Sequence, residues 1–381
     1  MKLGELGITR KLLRVLIQSY QRLKCVIRVN GLTSTSVNVE RGVRQGGVLS
    51  CFLYMVYVDE LLTCLERSTA SAKVLSVNSG APTFADDISL IALTPYSLQT
   101  LLNIVYQYSQ TWKFSISVDK SSIMVYSKVQ HRNNVPVGIL YGENYIETAT
   151  NATHLGIRQD SNMKICNRIS ERCKKAKSSF FAMIGLGVHP LGLNPITSAN
   201  LYKRIVLPSV LYGSELWNNM TQSDINSINR FQHFIVKLIQ GFNVRTRSDI
   251  CESMLGLYRL SAEVEKRKLM FVHKILLMSH DSITQKLFIR KYLLYIANNN
   301  NVKLGFIPDI CSLLCKYNLQ YLINDFVNKS CQVPSKYAWK CIVKKAIYSL
   351  ETHLWKERLS LHPDFQYFRI LHVNIKPALV Y

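Results

Sequence analysis

The sequence is poor in acid. Its 24 aspartates and glutamates stand against 47 lysines and arginines, a net charge of +23 over 381 residues. That balance disfavours a cationic partner and points to a polyanion, most often nucleic acid. The deficit is uneven: net charge is +6 across residues 1–130 and +17 across 131–381, so the second part is better suited to gripping phosphates. Although 48% of the residues are hydrophobic, no apolar run reaches the ~18 residues of a membrane span. No membrane partner is expected, and the composition reads as a globular chain with core enough for two or three domains. The ten cysteines contain no C-x-x-C pair, and nothing at the N-terminus reads as a secretory leader. The expectation is reduced thiols in a nuclear or cytoplasmic setting. Cys311, Cys315, Cys331 and Cys341 could be stretched into a zinc site with His353, but their spacing fits no usual zinc module, and buried apolar cysteine is the plainer reading. There is no internal repeat.

What stands out against this background is Ala81-Pro82-Thr83-Phe84-Ala85-Asp86-Asp87-Ile88-Ser89-Leu90-Ile91-Ala92-Leu93. Two β-propensity runs meet where the two acids fall, which predicts a tight hairpin with Asp86 and Asp87 at or near its tip. Paired carboxylates there suit a hard divalent cation such as Mg2+. Plain turn chemistry is the competing reading, since Asp tolerates turns well.

Ahead of this stretch, Leu12, Leu13, Leu16, Ile17, Tyr20 and Leu23 share one face of a helix over 10–24, behind a Thr9 cap. Cys25 to Val29 and Leu32 to Val39 then flank Asn30-Gly31, the dipeptide preferred in a type I′ hairpin turn. Arg41-Gly42-Val43-Arg44-Gln45-Gly46-Gly47-Val48-Leu49-Ser50 is a glycine-rich turn opening a helix capped near Ser50, with Leu53, Val56, Tyr57, Leu61, Cys64 and Leu65 at helical spacing. Such a turn lets a ligand approach the main chain; a solvated Arg and Gln on a glycine turn is the alternative.

Behind it, Thr94-Pro95 starts a helix to about residue 112. Its stripe of Leu98, Leu101, Leu102, Val105, Tyr108 and Trp112 reads as core. Asp119-Lys120 precedes a strand over 122–127; 137–141 and 145–148 form a hairpin across Gly142-Glu143-Asn144; and His154-Leu155-Gly156-Ile157 reads as a short strand. From residue 160 the chain turns helical. Ile165, Ile169, Cys173, Ala176 and Phe180 line one face of a helix, and Lys164, Arg168, Arg172 and Lys175 line another. That row of cations suits a phosphate backbone or a solvated surface equally. Helices follow over 195–213 and 223–240, the latter with Ser223 at its start and Gly241 past its end. Helical pattern then continues to about 358, with a loop at 298–301 and a break at Pro334.

The order of these parts resembles a reverse transcriptase palm, most closely that of non-LTR, LINE-type retrotransposons. The likeness rests on Arg44-Gln45-Gly46, Phe84-Ala85-Asp86-Asp87, Asp119-Lys120, His154-Leu155-Gly156-Ile157 and the thumb-like Pro208 to Trp217, and covers residues 5 to 250. It implies an α+β fold: a palm of antiparallel sheet and packed helices over 1–160, a helical thumb-like region over 161–250, and a helical C-terminal region over 251–381. It also implies RNA template, DNA primer and dNTPs as partners. Asp86 and Asp87 resemble the pair that holds catalytic Mg2+, with Phe84 where tyrosine is commoner. Arg44, Gln45, Gly46, Phe84 and Ala85 match positions lying against nucleotide and template. Lys120 is similar to a lysine facing the triphosphate, though a surface salt bridge with Asp119 serves as well. Leu155 and Gly156 resemble the primer grip, and Cys51 replaces a commoner proline.

One departure shapes the expectation of activity. The family's first catalytic aspartate lies on a strand ahead of the helix that begins here near residue 10, and the chain begins at Met1, without fingers. Asp59 and Glu60, inside a predicted helix, are poor substitutes. The resemblance therefore implies a truncated reverse transcriptase, inactive alone. The competing reading is a non-enzymatic RNA- or DNA-binding remnant of a mobile element. An RNA-dependent RNA polymerase fits the thumb segment poorly, and a group II intron maturase stays closer.

Overall fold

The computed structural model describes residues 2–21, 23–39, 42–44, 46–74, 76–79, 81–126, 138–162, 165–298, 301–328 and 332–377. Gln45, Lys164, Cys331 and Val137, together with the end of the strand expected at 122–127, lie outside them. The chain separates into two compact units, Met1–Ile123 with His131–Ala149, and Met124–Gln130 with Thr150–Tyr381. Helices and small antiparallel ladders make up both.

In the first unit, α1 (Lys2–Glu5) and α2 (Arg10–Tyr20) lead into a ribbon of β1 (Lys24–Cys25), β2 (Arg28–Val29), β3 (Leu32–Thr33) and β4 (Val37–Asn38). The Asn30-Gly31 turn forms as its dipeptide predicts, with φ of 50° and 84°. The expected apolar stripe of α2 is present, yet the helix buries no residue, and every residue of the four strands is exposed. The core lies further on, between α3 (Ser50–Arg67) and α4 (Pro95–Trp112), where Leu61 and Leu65 meet Leu101, Leu102, Val105 and Tyr108. Thr94 caps α4 by accepting from Ser97 N. On α3, Cys64 is exposed and Val58 takes a buried place instead.

Short hairpins join this helix pair: β5 (Lys73–Val74) with β6 (Val77–Asn78), β7 (Thr83–Phe84) with β8 (Asp87–Ile88), and β9 (Leu140–Tyr141) with β10 (Asn144–Tyr145). The antiparallel pairing expected of this region is present, and among the described residues it forms separate two-stranded ladders. The strand over 122–127 reduces to a bridge between Ile123 and Thr148, and Asp119-Lys120 lies in a 3₁₀ turn, Val118–Lys120.

In the second unit, β11 (Asn151–His154) pairs with β12 (Ile157–Asp160). Leu155-Gly156 is therefore the two-residue turn of a hairpin, not the middle of a strand. Helix α5 (Ile165–Ile184) buries Ile169, Ala176, Phe180 and Met183. Next, α6 (Pro195–Leu201) runs through a π-helical turn, Tyr202–Val206, into α7 (Leu207–Val210). Pro208 lacks an N–H, so the wider turn upstream costs the ladder little. Helix α8 (Gln222–Gln240) starts one residue before the expected Ser223, on a reciprocal capping box of Thr221 and Asp224. Gly241 ends it in the left-handed region, as expected.

Beyond lie α9 (Ser248–Met254), α10 (Leu260–Leu276), α11 (Ile283–Ala297), α12 (Phe306–Lys316), α13 (Tyr321–Val327), α14 (Lys336–Ser360) and α15 (Gln366–Leu371). Helix α10 serves two cores, placing Leu260 and Val264 with α5 and α8, and Leu269, Val272 and Ile275 with α12 and α14. The helices of 161–250 and 251–381 are thereby one body. No described helix is long and apolar enough to cross a membrane.

Candidate active site

The pairing of β7 with β8 sets Thr83 opposite Ile88 and Phe84 opposite Asp87. Ala85 and Asp86 are left as the turn. Side chains alternate along such a ladder. Ile88 and Leu90 turn inward onto the Leu61–Leu101 core, while Phe84, Asp86 and Asp87 face solvent. Ala85 has φ 52°, a left-handed backbone that costs a residue with a Cβ about 1 kcal/mol or more. Neither carboxylate has a hydrogen bond or ion pair to a described side chain. Two adjacent, unneutralised carboxylates on a strained tip, in a chain of net charge +23, are unusual.

One residue near this tip was not legible as part of a site. Tyr54 stands one turn into α3; burial pushes its phenol up, and the charge of Asp86 adds to the shift. The hairpin tip therefore lies within electrostatic reach of α3. Tyr54 falls outside the helical spacing of Leu53, Val56, Tyr57, Leu61, Cys64 and Leu65, so no pattern in the sequence singled it out.

The donor set suits Mg2+, which keeps several waters and is held by one or two carboxylates plus substrate phosphates. Asp86 and Asp87 would hold it. Among the described residues no cluster of three or more His, Cys, Asp or Glu could hold a metal. Glu60 is tied to Lys2 at 3.0 Å, with the Lys2 ammonium 4.1 Å from the Trp112 ring centre. Cys315 and Cys341, expected to be buried, are exposed, and Cys311 is half-buried.

The glycine turn ahead of α3 is built tightly. Gly46 has φ 77°, and a Cβ on Gly47 would lie 2.6 Å from Ser50 Oγ. Ser50 is not the cap expected of it: it is the first helical residue, its hydroxyl donates to Arg44 O at 2.6 Å, and no side chain caps α3. Arg44 donates to Ser19 O at 2.8 Å and faces the Tyr20 ring. It braces the last turn of α2, whose carbonyls lack helical partners, rather than standing free for a ligand. Lys120 is exposed, and the salt bridge with Asp119 does not form among the described residues.

In the second unit the Leu155-Gly156 turn has φ of 49° and 70°, the two left-handed residues of a type I′ turn. It is clamped from two sides. Tyr212 Oη donates to Leu155 O at 2.7 Å, and the Arg172 guanidinium donates to Gly156 O while lying 4.7 Å from the centre of the Tyr212 ring. Gly213 (φ 74°) lets Tyr212 approach, since a Cβ there would meet Ile157 Cδ1 at 2.8 Å. Two motifs far apart in sequence, Leu155-Gly156 and the segment from Pro208 to Trp217, thus meet. Their meeting also changes the reading of the cation row on α5. Arg168 donates to Gln159 at 2.9 Å, Arg172 holds the turn, and Lys175 pairs with Glu171 at 2.6 Å. These three brace the hairpin and the helix and are not free cations.

The family described as reverse transcriptase (RNA-dependent DNA polymerase) matches residues 4–159, which hold both the acidic hairpin and the clamped turn. Among curated relatives in Drosophila melanogaster, the chain is 24% identical over 230 residues to the RNA-directed DNA polymerase from mobile element jockey. That match covers 58% of this chain and 24% of the relative. It is 24% identical over 258 residues to "Probable RNA-directed DNA polymerase from transposon X-element", covering 66% and 27%. A third, the retrovirus-related Pol polyprotein from type-2 retrotransposable element R2DM, is 35% identical over 91 residues, covering 24% and 8%. The chain spans about a quarter of the length of the first two.

Proposed function

We propose that this chain, whose residues 4–159 match the reverse transcriptase family and which resembles the polymerases of Drosophila mobile elements, belongs to machinery for RNA-templated DNA synthesis in retrotransposition. Asp86 and Asp87 are its metal-holding carboxylates. The observation that carries this reading is the pair of exposed, unpaired acids on the β7–β8 tip. Mg2+ bound there would activate a primer 3′-hydroxyl and steady departing pyrophosphate. Phe84, directly across from Asp87 and on its face of the ladder, offers an apolar surface for the incoming nucleotide. The backbone N–H groups opening α3, which no side chain caps, suit template or nucleotide phosphate. Lys120 serves as the triphosphate-facing cation, and the rigid Leu155-Gly156 turn supports the primer strand. Template RNA, primer DNA and dNTPs are the substrates.

The chain by itself is proposed to be inactive. Two-metal transfer uses a further bridging carboxylate, and neither Asp59 nor Glu60 suits the part: both lie on α3, with Glu60 engaged by Lys2. Purified protein is to be tested with primed RNA template, dNTPs and Mg2+. The expected outcome is no extension, with Mg2+-dependent dNTP binding that falls at least about tenfold, or 1.4 kcal/mol, in Asp87→Asn. Robust synthesis abolished by Asp86→Ala would overturn the inactivity. Salt-sensitive nucleic-acid binding that ignores both Mg2+ and Asp87 would favour the non-enzymatic remnant.

A further inference from the structure

The second unit contains a recess of about 480 Å³ between α8, α9, the start of α10 and the end of α14. Arg230, Arg247, Arg259 and Arg358 all line it. Arg247 is used: its guanidinium grips Asp249 through two bonds of 3.1 and 2.7 Å. The other three make no hydrogen bond or ion pair with a described residue, and Arg358 Nε is buried without a partner.

Glu351, Asp249 and Glu252 act on Arg358 from a distance, but none forms an ion pair with it. Glu252 is fully buried and spends one oxygen on Gln232 Nε2 at 2.7 Å; burial pushes its carboxyl up to about 7, so near neutrality it is only partly charged. Burial raises Glu351 as well. His233, 3.4 Å from Glu252, is held down to about 4, foremost by burial and then by Lys237 and Arg259. The contact is thus not an ion pair at neutral pH. Burial lowers Arg358 and the like charge of Arg259 lowers it further, opposed by Glu351, Asp249 and Glu252. Arginines that repel one another across an open recess, with donors left over, lack an anion.

We propose that this recess is a phosphate site, in which Arg259, Arg358 and Arg230 hold a backbone phosphate of a nucleic-acid strand. Planar guanidinium groups suit phosphate oxygens, and all three residues lie beyond the stretch the family covers. That the phosphate belongs to nucleic acid rests on the reverse transcriptase reading; the phosphate site itself does not.

The test uses the full chain and two probes. Inorganic phosphate, added at constant ionic strength against chloride, should raise the melting temperature of the wild type but not of Arg259→Gln or Arg358→Lys. A labelled RNA·DNA hybrid should bind each variant several-fold more weakly. The slope of log affinity against log salt should fall by about one in Arg259→Gln, which loses a charge, and stay close to the wild type in Arg358→Lys, which keeps it. Lys345→Gln removes one exposed charge of α14 outside the recess and should change neither readout. Arg358→Lys retains the charge in the last turn of α14, and Arg259→Gln lies at the start of α10, so a fold defect in one does not silence the other. A phosphate shift that survives both variants, or hybrid binding weakened equally by Lys345→Gln, overturns the site. A phosphate effect confined to Arg259 and Arg358 without any effect on the hybrid overturns the nucleic-acid assignment. Loss of the recess effects while Asp87 still governs nucleotide binding sinks this inference and leaves the polymerase reading standing. The converse result supports the recess and sinks that reading.

Discussion

Gly213→Ala tests whether the Leu155-Gly156 turn is held as described. The residue has φ 74°, and the added methyl would sit 2.8 Å from Ile157 Cδ1 and 3.1 Å from its Cγ1. Three contributions decide the outcome. Left-handed backbone costs an alanine about 1–2 kcal/mol, and the clash costs about 1–3 kcal/mol more. Restricting the unfolded chain returns about 0.4–1 kcal/mol. The net loss is about 1–4.5 kcal/mol, centred near 3, which in a unit of this size lowers the melting temperature by roughly 3–15 °C. The control is Gly185→Ala, where no atom lies within 4 Å of the new Cβ and φ is not positive; it should move the melt by about 1–2 °C at most. Urea denaturation of both variants gives the free energies. In an Ile157→Val background the atom nearest the new methyl is gone, so the cost of Gly213→Ala should shrink by about 1 kcal/mol. A Gly213→Ala protein as stable as Gly185→Ala, or a penalty indifferent to Ile157, would refute the clamp.

Tyr212→Phe removes the hydroxyl bonded to Leu155 O while leaving the ring under Arg172. It should cost about 0.5–1.5 kcal/mol in urea and accelerate amide exchange around residues 155–157; unchanged exchange would count against the bond. Ala85→Gly relieves a left-handed residue costing about 1–2 kcal/mol, offset by about 0.5–1 kcal/mol of glycine entropy. The protein should be stabilised by up to about 1.5 kcal/mol, and clear destabilisation would show that φ 52° is not strain. The Glu252–His233 pair predicts a pH profile of opposing slopes. Glu252 is raised to about 7, so between pH 4.5 and 7 the native state binds more protons than the unfolded chain, and stability falls as pH rises. His233 is lowered to about 4, so between pH 4 and 6.5 the unfolded chain binds more, and stability rises. The two offset one another in their shared range. Glu252→Gln should unmask the histidine, giving stability that climbs from pH 4 to 6.5, as read by denaturant midpoints; a flat profile would contradict the assignment.

Local rules carried the hairpin of Asp86 and Asp87, the Asn30-Gly31 turn, the Thr94-Pro95 helix start and the Gly241 stop. Each depends on neighbours within a few residues, where backbone preference and capping chemistry act. The same rules started the helix at Ser223, one residue late, because Thr221 completes a reciprocal box with Asp224 and Gln222 is already helical. They misread His154 to Ile157 as a strand, because nothing local distinguishes a strand from a turn once a non-glycine accepts positive φ. They placed the apolar stripe of α2 on one face but could not say whether that face packs, and no described residue of α2 is buried.

From the sequence by itself came the basic balance, the element order and the two adjacent acids, because charge and short-range propensity are written residue by residue. Tertiary structure decided how the cations are used. Arg44, Arg168 and Arg172 look in sequence like free phosphate ligands but are bonded to carbonyls and an amide of their own units. Arg230, Arg259 and Arg358, 128 positions apart at the extremes, converge unpaired on one recess. Whether an arginine is free depends on which acceptors the fold brings within about 3 Å of it, and no spacing along a chain encodes that distance.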